Sequence, residues 1–76
     1  MPNRAAKISK LFGDAIREER ISLGLSQEKL AERAGLSRNF YGCVERGEKV
    51  ASIETVVRLA RALGVNAEKL MRKARL

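Results

Sequence analysis

The chain has 76 residues, one cysteine, no histidine and a formal net charge of +7. A chain this short makes one domain, and it buries only roughly 60% of the surface its unfolded form exposes. Such a core positions a surface site but does not house a deep cavity. Without histidine and with Cys43 alone, no His/Cys metal cage and no internal disulfide can form, so no metal and no cofactor is expected. No catalytic constellation is visible either, which argues against an enzyme. No stretch approaches the ~20 apolar residues of a membrane span. The lone thiol and the lack of an apolar leader predict a cytoplasmic protein with no membrane partner.

The basic excess is unevenly placed. Residues 1–10 contribute +3 through Arg4, Lys7 and Lys10, and residues 69–76 contribute +4 through Lys69, Arg72, Lys73 and Arg75. Residues 11–68 carry nine basic and nine acidic side chains and sum to zero. This pattern predicts a basic N-terminal arm over residues 1–8 and a basic C-terminal tail over residues 72–76. Two readings of these ends stay open: solvated tails, or arms that reach phosphates.

In chain order, the first helix is expected to begin near Ser9 as N-cap. Its apolar stripe is Leu11, Phe12, Ala15, Ile16 and Leu23, with Asp14, Arg17, Glu18 and Glu19 mainly opposite. Gly24 ends it. Ser26 caps a second helix with Leu30, Ala31 and Ala34 inward, which Gly35 ends after about two turns. Leu36 packs into the corner. Ser37 caps a third helix from residue 38 to about residue 46, closed by Gly47. Ser52 caps a fourth helix with Ile53, Val56, Val57, Ala60 and Leu63 on its apolar face and Gly64 at its end. Asn66 caps a fifth, with Leu70 and Met71 inward and a frayed end. Caps and stops agree throughout, so the fold class is all-α with five helices in a single domain, residues 1–76.

Residues 26–47 carry the chemistry. Two short helices joined by a tight turn make a helix-turn-helix, which sets its second helix across the first so that it can project into a major groove. The turn needs a conformation that Gly35 adopts without strain. Ala31 is small where the helices cross, and Leu36 and Val44 fill the wedge.

On these residues the chain resembles the phage-repressor and Cro family, also called the XRE family. The matching run is R-I-S-L-G-L-S-Q-E-K-L-A-E-R-A-G-L-S, followed by V-E-R-G and, at residues 62–65, A-L-G-V. Among short members it is most similar to the stand-alone controller proteins of restriction–modification systems. The resemblance implies a five-helix, lambda-repressor-like domain with the helix-turn-helix at helices 2 and 3. It further implies a sequence-specific, double-stranded DNA-binding transcription regulator that acts as a homodimer on a near-palindromic operator.

Roles carry over by position. Arg38, Asn39 and Cys43 correspond to base-reading positions; arginine suits guanine O6 and N7, and asparagine suits adenine N6 and N7. Ser26, Gln27, Ser37, Phe40, Arg46 and Lys49 correspond to positions that hold the DNA backbone. Arg20 and Glu45 match a structural pair that locks the first helix to the third. The dimer surface is expected at Val65, Asn66, Lys69 and Leu70, with Met71 in support. Glu28 and Glu32 match acids that touch RNA polymerase in some phage repressors; ordinary surface charge is the plainer account of both.

Two positions depart from the family pattern. Tyr41 stands where a buried aliphatic is usual, so its phenol must find a partner or push the helix outward. Gly42 sits mid-helix, at a cost of about 1 kcal/mol against alanine. Two other functions compete with the DNA reading. One is an antitoxin-like module that neutralises a partner protein through the fourth and fifth helices, which a large exposed apolar patch there would favour. The other is RNA binding, which the scarcity of aromatics for base stacking disfavours.

Overall fold

The computed structural model describes residues 4–76, and among these it contains five α-helices and no strand. They are α1 (Arg4–Ser22), α2 (Gln27–Ala34), α3 (Arg38–Glu45), α4 (Ile53–Leu63) and α5 (Ala67–Lys73). The expected five-helix, all-α fold is what the chain adopts. The caps explain why the helices start where they do. Ser26, Ser37, Ser52 and Asn66 each adopt an extended backbone, and each side chain accepts the N–H three residues on, from Lys29, Phe40, Thr55 and Lys69. Each such cap is worth about 1 kcal/mol to a short helix.

One core serves all five helices. Phe12 and Ile16 of α1 meet Leu30, Ala31 and Ala34 of α2, Tyr41 and Val44 of α3, Leu59, Ala60 and Leu63 of α4, and Leu70 of α5. The turn between α2 and α3 is closed by the Leu36 N–H, which bonds the Ala31 carbonyl at 2.9 Å across Gly35, whose φ is 70°. From α4, Arg58 donates to the Gly35 carbonyl at 3.4 Å and ties the turn to the body.

Several expectations are corrected. Ser9 does not cap α1; it lies buried inside a helix already formed at Arg4. Of the expected arm, residues 4–8 are therefore the first turns of α1, while residues 1–3 lie outside the described residues. Leu23 is exposed and Glu19 is buried, the reverse of the expected stripe. Glu19 is held there by cations from α5, Lys73 at 3.5 Å and Lys69 at 4.0 Å. On α4, Ala60 and Leu63 are buried as expected and Val56 packs against the core, but Ile53 is 85% exposed, and Thr55 and Leu59 are buried in addition.

The C-terminal residues are neither a tail nor frayed. Arg72 and Lys73 belong to α5 and pair with Glu68 and Glu19. Ala74 is buried, Arg75 takes a left-handed φ of 63°, and the Leu76 N–H bonds the Met71 carbonyl at 2.9 Å, a pattern that satisfies the last carbonyls of the helix. No described helix is long and apolar enough to cross a membrane.

Candidate nucleic-acid interface

The candidate interface is the outer face of α3 with the start of α2. Its geometry is set from behind, where α1 crosses α3 at backbone contact. A Cβ on Gly13 would lie 2.7 Å from the Val44 carbonyl oxygen and would also collide with the Glu45 carbonyl oxygen. Real Cβ atoms do not tolerate this, so Gly13 sets the depth at which α3 seats. Gly47, at φ 76°, makes a matching approach at the end of α3, where a Cβ would lie 2.8 Å from the Cα of Lys10.

A charged lock sits beside this crossing. Arg20 Nε donates to Glu45 Oε2 at 3.0 Å and Nη2 donates to Oε1 at 3.0 Å, a bidentate fork. Arg20 Nη1 also donates to the Leu25 carbonyl at 2.8 Å, so the same guanidinium holds the α1–α2 loop. The two side chains are 13% and 4% exposed. Burial works against the Glu45 charge, but hydrogen bonds from Arg20 and Gln27, with the Tyr41 hydroxyl lying nearby, outweigh it and hold its pKa below the ordinary value. Arg20 is correspondingly raised, chiefly by its bonds to Glu45.

Tyr41 is fully buried, and its hydroxyl closes no hydrogen bond. The expected partner for the phenol is therefore not found, although the ring is sealed in the core. It fills the core beneath the lock, with its oxygen beside Glu45. Burial first, and the Glu45 carboxylate second, push its pKa up.

The outer face of α3 contrasts with this. Arg38 and Asn39 are exposed on its first turn, and Lys49 is exposed just past its end. Cys43 is half-buried, with Arg46 Nη2 at 3.7 Å from its sulfur. Phe40 is half-buried and packs against the core, so much of its ring is committed inward. Ser26 and Ser37 are exposed and spend their hydroxyls on capping. Gln27, at the start of α2, donates from Nε2 to Glu45 Oε1 at 3.2 Å, so its amide is already coupled to the end of α3.

Arg46 is exposed but bound internally. Its guanidinium makes two bonds to Glu48, from Nε and from Nη2, each 3.1 Å. These bonds raise the pKa of Arg46 and lower that of Glu48.

Sequence reasoning missed Gly13 and Arg17. A glycine within an otherwise good helix is the available signal for the first, since it weakens the helix without contact to justify it. Arg17 precedes Arg20 by three residues on the same helical face and approaches Glu45 Oε1 at 3.9 Å from an exposed position. At the expected dimer surface, Asn66 and Lys69 are exposed and Val65 and Met71 half-buried. Leu70 is corrected: it is 0% exposed, because it is the residue by which α5 closes the core, and it is not available to a partner.

A two-helix reading unit locked from behind and polar in front defines a helix-turn-helix protein. A helix-turn-helix family model matches residues 16–70, and the chain belongs to that family, in its phage-repressor (XRE) branch. It is 39% identical over 64 residues to the control protein C.SmaI of Serratia marcescens, across 84% of this chain and 76% of that one. It is 37% identical over 65 residues to the control protein C.BamHI of Bacillus amyloliquefaciens, across 84% and 80%. Its fold matches the crystal structure of the restriction–modification controller protein C.AhdI from Aeromonas hydrophila, with a TM-score of 0.80 and 42% identity over 82% of this chain and 94% of that one.

Proposed function

We propose that this transcription regulator acts by binding, without catalysis, and in the cytoplasm. It binds double-stranded DNA as a symmetric homodimer, each subunit placing the first turn of α3 in the major groove of one half-site. The observation that carries this reading is the division of α3: Tyr41, Val44 and Glu45 are buried against the body, whereas Arg38 and Asn39 stand exposed on its first turn. Rigid support of a few directed donors is what base reading requires. Arg38 reads guanine and Asn39 adenine, with Cys43 able to offer its sulfur to a thymine methyl. The start of α2, with Ser26 and Gln27, and the cation Lys49 meet the phosphate backbone.

The second copy docks at the α4–α5 corner through Val65, Asn66 and Lys69. Two subunits then address half-sites about one helical turn, roughly 34 Å, apart. Binding across a promoter represses. Activation needs a further contact, and Glu28 and Glu32, both exposed on α2, are the acids placed to make it with RNA polymerase. Charge reversal at both should spare DNA binding and abolish activation; joint loss of the two activities would remove that role.

The antitoxin-like reading gains no support from the surface it needs. The exposed large apolar side chains among the described residues are Ile8, Ile21, Leu23, Val50, Ile53 and Leu76; of these only Ile53, the first residue of α4, lies on either helix, and one side chain is not a large apolar patch. The decisive test is selection of bound sequences from random duplex DNA at a stated salt concentration. A palindromic consensus is expected, and enrichment of no sequence would sink the proposal.

A further inference from the structure

The Arg46–Glu48 pair does not fit the role that position implied for Arg46. A phosphate contact works by net positive charge, and a guanidinium bound on two nitrogens by its own carboxylate carries little of it. Its placement suggests something else. Positions 39, 42, 43 and 46 are spaced three and four apart, so they share one face of α3 and its end. The Arg46 side chain runs back along that face, as long side chains on a helix do. Its guanidinium covers Gly42, where a Cβ would lie 2.9 Å from Nη1. Cys43 borders it, with its sulfur 3.7 Å from Nη2. Glu48 takes Nε and Nη2 at 3.1 Å each.

Three features thus agree on one pose: a missing side chain at Gly42 makes the room, Cys43 flanks it, and Glu48 grips one edge of the fork. The opposite edge stays available. Nη1 keeps both its N–H groups, and the Nη2–H facing sulfur meets only a weak acceptor that a better one displaces. Two parallel N–H groups on a held guanidinium match guanine O6 and N7.

We infer that Arg46, buttressed by Glu48 over the gap at Gly42, is a base-reading residue that recognises a guanine beyond those faced by Arg38 and Asn39. The inference rests on the proposal that α3 lies in the major groove. It also accounts for Gly42: alanine would favour the helix but occupy the guanidinium's seat. Glu48 contributes twice, fixing the fork before DNA arrives and penalising its use on phosphate, where the carboxylate would face like charge.

The test repeats the selection from random duplex DNA with the full chain and three variants, Arg46→Ala, Glu48→Ala and Gly42→Ala, at one salt concentration. Arg46→Ala should cost roughly 10- to 100-fold on the selected site and erase preference at one symmetric pair of consensus positions, leaving those read by Arg38 and Asn39. Glu48→Ala and Gly42→Ala should relax the same positions with Arg46 present, and Glu48→Ala should also raise affinity for unrelated DNA. Helical circular dichroism confirms that each variant folds. If Arg46→Ala weakens every sequence alike and Glu48→Ala strengthens every sequence alike, Arg46 is a phosphate contact and the inference falls. An unchanged consensus in all three variants also overturns it. Both failures leave the wild-type palindrome standing, which separates them from failure of the DNA-binding proposal itself.

Discussion

The two faces of α3 are built by opposite rules. On the inner face Tyr41 and Val44 are sealed in the core, Glu45 is locked to Arg20, and α1 approaches at backbone distance through Gly13. On the outer face Arg38 and Asn39 stand in solvent, and only Arg46 is tethered, by a surface acid. An eight-residue helix is too short to be stable alone. Its pose comes wholly from the inner face, so the outer face is free to vary without cost to the fold. Stability and recognition are therefore separable in one helix, and substitutions on the two faces should fail in different assays.

The largest effect is expected from Arg20→Ala. It leaves the Glu45 carboxylate buried without its fork and should cost about 3–5 kcal/mol in denaturant unfolding. Recognition would be lost with it, because the cut also frees the α1–α2 loop held through the Leu25 carbonyl. The lock has a pH signature. The Glu45 pKa is depressed in the folded state, so its contribution is fully present above the ordinary glutamate value of about 4.3 and is lost as the pH falls through the lower folded value. Wild-type protein should lose stability in that acid range more steeply than Glu45→Gln. Parallel curves would mean that the lock contributes no linkage.

Next comes Gly13→Ala. The added methyl meets carbonyl oxygens rather than a mobile side chain, so α1 and α3 must separate, at about 1–3 kcal/mol. If the protein instead gains the roughly 1 kcal/mol that alanine offers a helix, the crossing is looser than described and the depth of α3 is set elsewhere. Crossing and lock together are why Gly13 comes directly after Arg20, although one lacks a side chain and the other carries a charge.

That pairing of a glycine with a charged residue shows what the sequence exposes and what it hides. Serine caps and glycine ends act on neighbouring residues, so four starts and the turn at Gly35 could be read directly. Ser9 misled for the same local reason: it precedes an apolar run and so resembles a cap, although the helix had already formed upstream. Periodicity establishes that α4 is a helix with Ala60 and Leu63 inward, but it does not separate Ile53 from Leu59, which are equally apolar; packing against α2 and α5 buried Leu59 and left Ile53 outside. The burial of Glu19 depends on Lys69 and Lys73, some fifty residues away, and no local pattern encodes it. At the candidate interface the exposed residues were readable from the family pattern. The internal commitment of Arg46 was not, because it depends on a neighbour's rotamer.

The outer face should give smaller, purely functional losses. Arg38→Ala should cost about 1–3 kcal/mol in binding, relax preference at one base pair and leave unfolding unchanged. Lys49→Ala should weaken all sequences alike and reduce the salt slope by about one. Binding titrations on the consensus and on single-base variants across a salt series distinguish the two. Uniform loss from Arg38→Ala would place that arginine on phosphate rather than on a base.

The smallest effect tests whether the inner face holds anything functional of its own. Tyr41→Phe removes only the buried hydroxyl that closes no hydrogen bond. An unsatisfied buried oxygen is a liability, and its removal at constant shape should be neutral or stabilising by up to about 1 kcal/mol. DNA affinity and specificity should not change, since the ring that supports Glu45 remains. A loss of stability above about 1 kcal/mol would show that the hydroxyl does bind Glu45 in solution. The lock would then have three members instead of two, and the phenol would be a positioning group rather than filler in an aliphatic's place.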